Sequence, residues 1–505
     1  MPATRHSHPP QNVVVIACNA LHLGFLGTYG NAWIETPNLD RLAAGGTVFD
    51  FHFPENLTTI PTRRSWWTGR FGFADPESGW TALRHDERTL PDFLMPHGVR
   101  TALISDNPYL REVGQGFGRG FDDAVWIRGA GYDPFISEAD PRATRVRVED
   151  EAGLPFDRLD EDEQAVWRTR WSQMLRNQAV LGFDRVPEAT STARTIHEAI
   201  DWLGRRRTQA PFVLWIDLFA PHGPWVLPAE LRDIYAAVEP DEFERDSEGN
   251  LAEPLGEDEP LGDEPRTLVD VPPGVVGEIL TELELLRLRR TYAASVTHLD
   301  SQVGRLLDAL EEFGLQRDTW VIFTADQGEP LGEHGFVRRF RPWLYEELIH
   351  TPLIIRDPAA VRRGTRHLAL VQTVDLLPSI LEIVGISAAD DDRIDGSSVL
   401  PLIHGTQTKL RDYACMGMDV LEFAIRTHNW HLVLPLEADP DDPDRGPELY
   451  RKPEDRWDQH NVVDQFPEVA DQLELALRRF AEASRHGQIG DLPPLRDIAR
   501  LGGAL

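Results

Sequence analysis

Short apolar runs separated by segments of helical period recur along most of this chain, and that alternation restricts the possible folds more than any other feature. The runs Asn12–Cys18, Thr101–Ser105, Phe212–Leu218, Thr319–Ala325 and Pro352–Arg356 have the length and β-branched content of strands. Helical patterns fall between and after them, at Pro37–Ala44 and at 161–182, 189–206, 278–314 and 373–385. The first is introduced by Thr36 as N-cap, has Pro37 at its first position and closes at Gly45-Gly46. Continuously apolar strands alternating with helices predict an α/β fold whose mostly parallel central sheet is covered on both faces.

The 505 residues suffice for one large domain plus an appendage. We expect a disordered tail over 1–11, a main domain over 12–405, and an α+β C-terminal subdomain over 406–505. The subdomain rests on strand candidates Phe423–Thr427 and Trp430–Pro435 and an amphipathic helix at 467–484. Within the main domain, 237–275 is rich in acid, Pro and Gly and reads as an exposed, partly disordered insertion. Charge narrows the function classes. With 51 Lys+Arg against 83 Asp+Glu the net charge is −32, which argues against a nucleic-acid surface. Runs such as Asn12–Cys18 and Phe212–Ala220 fall short of the roughly 18 to 20 residues a bilayer span needs, so no membrane partner is expected. The start MPATRHSHPPQ lacks a cationic, then apolar, secretory pattern, and the expected location is cytoplasmic. Two cysteines, Cys18 and Cys415, give neither a disulfide framework nor zinc spacing, and the sequence sets no oligomeric state.

In open α/β sheets ligands bind beyond the carboxyl ends of the strands. The residues there are Asn19-Ala20-Leu21-His22, Pro221-His222-Gly223-Pro224-Trp225 and Asp326-Gln327-Gly328-Glu329. A polar turn, Asn56–Arg64, leads into a helical segment at Ser65–Arg70, and a hydroxyl at a helix mouth suits an anionic substrate.

These segments carry a family resemblance. NVVVIACNALHLGFLGTYGN followed by TPNLDRLAAGGTVFD resembles the opening of the sulfatase family, within the alkaline-phosphatase superfamily. TTIPTRRSWWTGR occupies the place of that family's nucleophile signature, and YAASVTHLDSQVGRLLDALEEFGLQRDTWVIFTADQGEPLGEHG and YEELIHTPLIIRDP resemble later signatures. AIRTHNWHLVLP and PELYRKPEDRWDQHNVVD are similar to the closing subdomain. The resemblance implies an alkaline-phosphatase-like sandwich and hydrolysis of a sulfate or phosphate ester by a nucleophile beside a divalent metal, usually calcium, with manganese or zinc as alternatives.

Carried over position by position, the metal would rest on Asp326, Gln327 and Asn19, while Ala20 stands where a second aspartate is usual. Hard cations need several anionic oxygens, so this set predicts weak metal binding. Thr59 takes the nucleophile position; neither Cys nor Ser is present there to mature into formylglycine, and the pattern resembles a threonine-bearing branch of the family. Thr59 is read either as the nucleophile or as a hydroxyl capping the helix after Pro61. Arg63 matches the signature arginine, His222 the substrate-side histidine, and Arg341 one sulfate-gripping lysine, the other having become Asp106. The only lysines are Lys409 and Lys452. Glu329, Glu333 and His334 read as a solvated loop, His22 and His52 as weak candidates for zinc, Arg338 and Arg339 as surface charge, and Trp66 and Trp67 as core.

Two functions follow. The chain is a hydrolase of a small anionic ester with Thr59, Arg63, His222 and Arg341 in the catalytic roles. Alternatively, it is a catalytically degenerate homologue that binds an anion or a partner.

Overall fold

The computed structural model describes residues 11–112, 114–143, 158–206, 211–235, 270–338, 342–359, 362–388, 393–437, 445–489 and 495. The strands, in chain order, are β1 (Asn12–Asn19), β2 (Thr47–Phe53), β3 (Asn56–Leu57), β4 (Arg100–Ser105), β5 (Asp123–Trp126), β6 (Phe212–Pro221), β7 (Gly274–Val275) and β8 (Thr319–Ala325). They continue with β9 (Phe336–Val337), β10 (Leu353–Arg356), β11 (Thr365–Gln372), β12 (Ala414–Met418), β13 (Glu422–Arg426), β14 (Trp430–Pro435) and β15 (Glu448–Arg451).

Eight of them form one sheet in the order β11-β2-β10-β8-β1-β6-β4-β5. Every pairing is parallel except those of β10, which runs against both β2 and β8. β1 lies between β6 and β8 with all its residues buried, which is why its sequence is apolar at consecutive positions instead of alternate ones. Its side chains still alternate by face. Val14, Ile16 and Cys18 join a core under helices Ser191–Arg206 and Glu282–Glu312, whereas Val13, Val15 and Ala17 join the opposite core with Ile60, Trp66, Trp67 and helix Leu376–Ile383.

A second sheet, β15-β14-β13-β12-β3, belongs to the C-terminal region except for β3, and helix Pro467–Arg485 covers it. Since β3 ends two residues before Thr59, the main domain lends its nucleophile turn as an edge strand to the smaller sheet. Residues 1–10 and most of the expected insertion, 237–269, lie outside the described residues. The described end of that segment is largely buried, Asp270 and Val271 completely, although Pro273 is exposed. No helix among the described residues is long and apolar enough to cross a membrane.

Candidate active site

The carboxyl ends of β1, β6 and β8 meet at one rim of the main sheet, and helix Thr59–Thr68 points its first residues there. The helix begins six residues earlier than the Ser65 its sequence suggests. Pro61 does not prevent this, because it occupies the first turn, where a backbone N–H has no helical partner to lose. Gly69, at φ 67°, closes the helix by donating its N–H to the Ser65 carbonyl. Thr58 is the N-cap residue. The Thr59 hydroxyl therefore does not cap the helix. It accepts a hydrogen bond from Asn19 Nδ2 at 3.1 Å, across from the end of β1.

One turn on, Arg63 reaches between two strand ends. Its Nε and Nη2 donate to Asp217 Oδ2 and Oδ1 at 3.0 and 2.9 Å, a two-pronged pairing with both oxygens of one carboxylate. Nη1 donates to Asp326 Oδ2 and, at 3.2 Å, to the Thr59 carbonyl. Asp326 Oδ1 accepts the Ala20 N–H at 2.9 Å. Asp217 is further held by Asn107 Nδ2 at 3.2 Å and Trp215 Nε1 at 3.4 Å. Thr59, Asn19, Arg63, Asp217, Asp326 and Gln327 all have 0% exposure. Burial alone would drive the guanidinium to shed its proton, but Asp217 and Asp326 outweigh it and hold Arg63 charged. For Asp326 burial wins and pushes the carboxyl upward, against the pull of Arg63 and the Ala20 amide.

Neighbouring groups complete the rim. Asp106, beyond β4, accepts the Phe219 N–H at 2.7 Å, and burial pushes its carboxyl up to about 6. The Nδ1 of His222 lies 2.6 Å from the Gly223 carbonyl, which can only accept, so Nδ1 carries a proton and donates it there. The ring lies tilted against Phe219, centroids 4.5 Å apart. Asn19 pairs in register with Pro221, so His222 follows the residue opposite the one that holds Thr59. Arg341 and Arg339 lie outside the described residues.

The donor set was tested against the divalent metal that the resemblance implies. Asp326 has one oxygen on Ala20 and the other on a guanidinium. Asn19 Oδ1 and both polar atoms of the Gln327 side chain are buried without partners, and these are neutral amide atoms, one of them an N–H donor no cation can use. The set does not fit a hard dication, which needs several free anionic oxygens. Among the described residues, the only His/Cys/Asp/Glu trio with ligand atoms within 4.8 Å of one another is Glu346, His431 and Asp458. Its carboxylates are already neutralised by Lys452, whose Nζ lies 2.6 Å from Asp458 and 3.2 Å from Glu346, with Arg426 at 3.4 Å.

Other expectations change. Glu329 and Arg338 are buried, with Arg338 3.5 Å from Glu329, 3.6 Å from Asp270 and over the Trp225 ring, so this arginine is an internal charge, not surface decoration. Glu333 is paired with His22 at 3.3 Å, and His334 with Glu347 at 3.0 Å, so these two are held by ion pairs and not simply solvated. Burial would lower His334, but the Glu347 carboxylate more than reverses this and lifts the imidazole to about 9. His52 bonds Thr351 at 2.8 Å, and burial lowers it to about 3. Trp66 and Trp67 are core, fully buried against Trp215. Asp217 is not among the expected site residues; its signal in the sequence is a lone carboxylate within the apolar run FVLWIDLFA, which demands a buried partner.

Comparison with known proteins agrees with this architecture. The chain matches the family described as Sulfatase over residues 11–386, and that described as N-sulphoglucosamine sulphohydrolase, C-terminal, over 332–483. It is 28% identical over 424 residues to an arylsulfatase of Clostridium perfringens, covering 80% of each chain. It is also 28% identical to an N-acetylglucosamine-6-O-sulfatase of Bacteroides thetaiotaomicron, covering 75% of this chain and 68% of that one. Among solved structures, the phosphonate monoester hydrolase of Agrobacterium radiobacter shares the fold with a TM-score of 0.64 at 19% identity, over 93% of this chain and 96% of that one. With the Sulfatase match covering about three quarters of its length and the sheet, rim and closing subdomain in place, the chain belongs to the sulfatase family.

Proposed function

We propose that this protein is a hydrolase of small sulfate or phosphate esters that works from an atypical, metal-poor centre with Thr59 as nucleophile. The observation that carries the reading is the placement of Thr59 Oγ1: first residue of a helix, at the carboxyl ends of the parallel strands, oriented by Asn19 Nδ2 at 3.1 Å. That position supplies backbone N–H groups and the positive helix end to a tetrahedral oxyanion. The similar arylsulfatase and N-acetylglucosamine-6-O-sulfatase support the ester class. In the reaction, Thr59 Oγ attacks sulfur or phosphorus, its proton passes to a base, the alcohol leaves, and water releases the threonyl ester. His222, its ring oriented by the Gly223 carbonyl at Nδ1, is the proton acceptor and then the donor to the leaving oxygen. Arg63 donates from Nη1 to the Thr59 carbonyl and so fixes the nucleophile turn, and Arg341 grips the ester oxygens.

Turnover of aryl sulfates, aryl phosphates and phosphodiesters by the purified protein and its Thr59→Ala variant tests this. The reading expects at least a hundredfold loss in the variant, as removal of a nucleophile entails; equal turnover would discard Thr59. The degenerate alternative is favoured by two features, the complete burial of Thr59 and the saturation of Arg63 by internal acceptors. It expects no turnover in either protein, together with saturable binding of sulfate or phosphate.

A further inference from the structure

We propose that this rim takes no divalent cation because the Arg63 guanidinium, clamped between Asp217 and Asp326, already supplies the positive charge that Asp326 needs, and that Asp217 is the positioning residue that fixes it. The inference goes beyond the ester-hydrolase reading and holds whether or not Thr59 attacks a substrate.

Three observations converge on it. The pairing with Asp217 uses both carboxylate oxygens at 2.9 and 3.0 Å, so the guanidinium plane is fixed and cannot swing out to a substrate. The remaining nitrogen, Nη1, is directed at Asp326, the one carboxylate the family resemblance assigns to the metal. A metal would have to displace Arg63 from a site where every participant has 0% exposure, stranding a buried charge. The charge count leads the same way. Asp217 and Asp326 bring two negative charges and Arg63 one positive, and the residual negative charge is spread over the Ala20 N–H, Asn107 Nδ2 and Trp215 Nε1. Asn19 and Ala20 then need supply no charge. They supply an amide that holds the Thr59 hydroxyl and a backbone N–H that holds Asp326.

The test reads metal, not turnover, and so stands apart from the Thr59 experiment. The full chain is equilibrated with calcium, manganese or zinc, desalted, and its metal content measured by mass spectrometry. Its melting temperature is recorded with and without millimolar calcium at matched ionic strength. The wild-type protein is expected to retain no stoichiometric ion and to melt at an unchanged temperature. One ion per chain, lost in Asp326→Ala, overturns the proposal. Arg63→Met uncovers two buried carboxylates and is expected to gain a calcium-dependent rise in melting temperature of several degrees, absent again in Arg63→Met/Asp217→Leu. A merely structural arginine would give no such gain, so a folded Arg63→Met indifferent to calcium also overturns it. Should Arg63→Met fail to fold, the wild-type metal content decides.

Discussion

At the residue scale the centre is governed by which charges are left without water. Removing one member of a buried pair strands the other, which costs about 3–5 kcal/mol, whereas removing both leaves only the packing loss. Arg63→Met and Asp217→Leu are each expected to destabilise by about that amount. The double variant should fall short of the sum by roughly 1–3 kcal/mol in urea unfolding. Additive effects would mean that the pair is not coupled. Much of the site could be read from single residues. Thr59, Arg63, Asn19, Asp326 and Gln327 do come together at one rim. What residue types could not show was the direction in which Arg63 points. As the matched signature arginine it reads as a substrate group, yet its N–H groups are spent on Asp217, Asp326 and a carbonyl. That depends on a contact between positions 154 residues apart, which no local spacing encodes.

At the element scale the strand ends are tied to one another by side chains on the loops that follow them. Asp106, just past β4, accepts the Phe219 N–H of β6, and burial holds its carboxyl near 6, above the usual 3.8. A carboxyl raised on folding stabilises fully below its unfolded pKa, and that contribution is lost as pH rises from about 4 through about 6. Asp106→Asn keeps an acceptor oxygen for Phe219 and removes the ionisation. Its unfolding free energy from urea titration is expected to gain on the wild type between pH 4 and 7 by at most about 3 kcal/mol, and to run parallel above that. Parallel free energies over the whole range would show that Asp106 titrates normally. The elements themselves were largely legible: Pro37–Ala44, Thr319–Ala325 and Trp430–Pro435 lie where periodicity puts them. The start of the nucleophile helix was not, because a proline in a polar turn reads as a break until the first turn is seen to tolerate it. The two-residue strand β3 carries no periodic signal and exists only because β12 pairs with it.

At the scale of the whole molecule, the C-terminal sheet is joined to the main domain through β3 and through a buried ionic knot. Lys452, one of two lysines in the chain, places its ammonium on Asp458 and on Glu346, while His431 bonds Asp458 at 3.0 Å and His350 bonds Glu346 at 2.8 Å. The effect of Lys452 and Arg426 is to hold the Glu346 carboxyl well below the ordinary range in spite of its burial. Lys452→Met leaves the acids under-compensated and is expected to cost about 3–5 kcal/mol. Limited proteolysis should then release the C-terminal region before the main domain is cut; simultaneous loss of both would show that the knot does not sit at a boundary. β12 pairs with β3, Gly417 opposite Asn56 and Met418 opposite Leu57, so the closing subdomain bears on the site through the edge strand that leads into Thr59.

The central claim concerns what lies between Asp217 and Asp326, and it is tested most directly by anomalous scattering from crystals soaked in manganese. The account predicts continuous density for the Arg63 side chain joining both carboxylates, with no anomalous peak within coordination distance of Asp326. A fully occupied peak ligated by Asp326, Asn19 and Gln327, with Arg63 turned away, would contradict it.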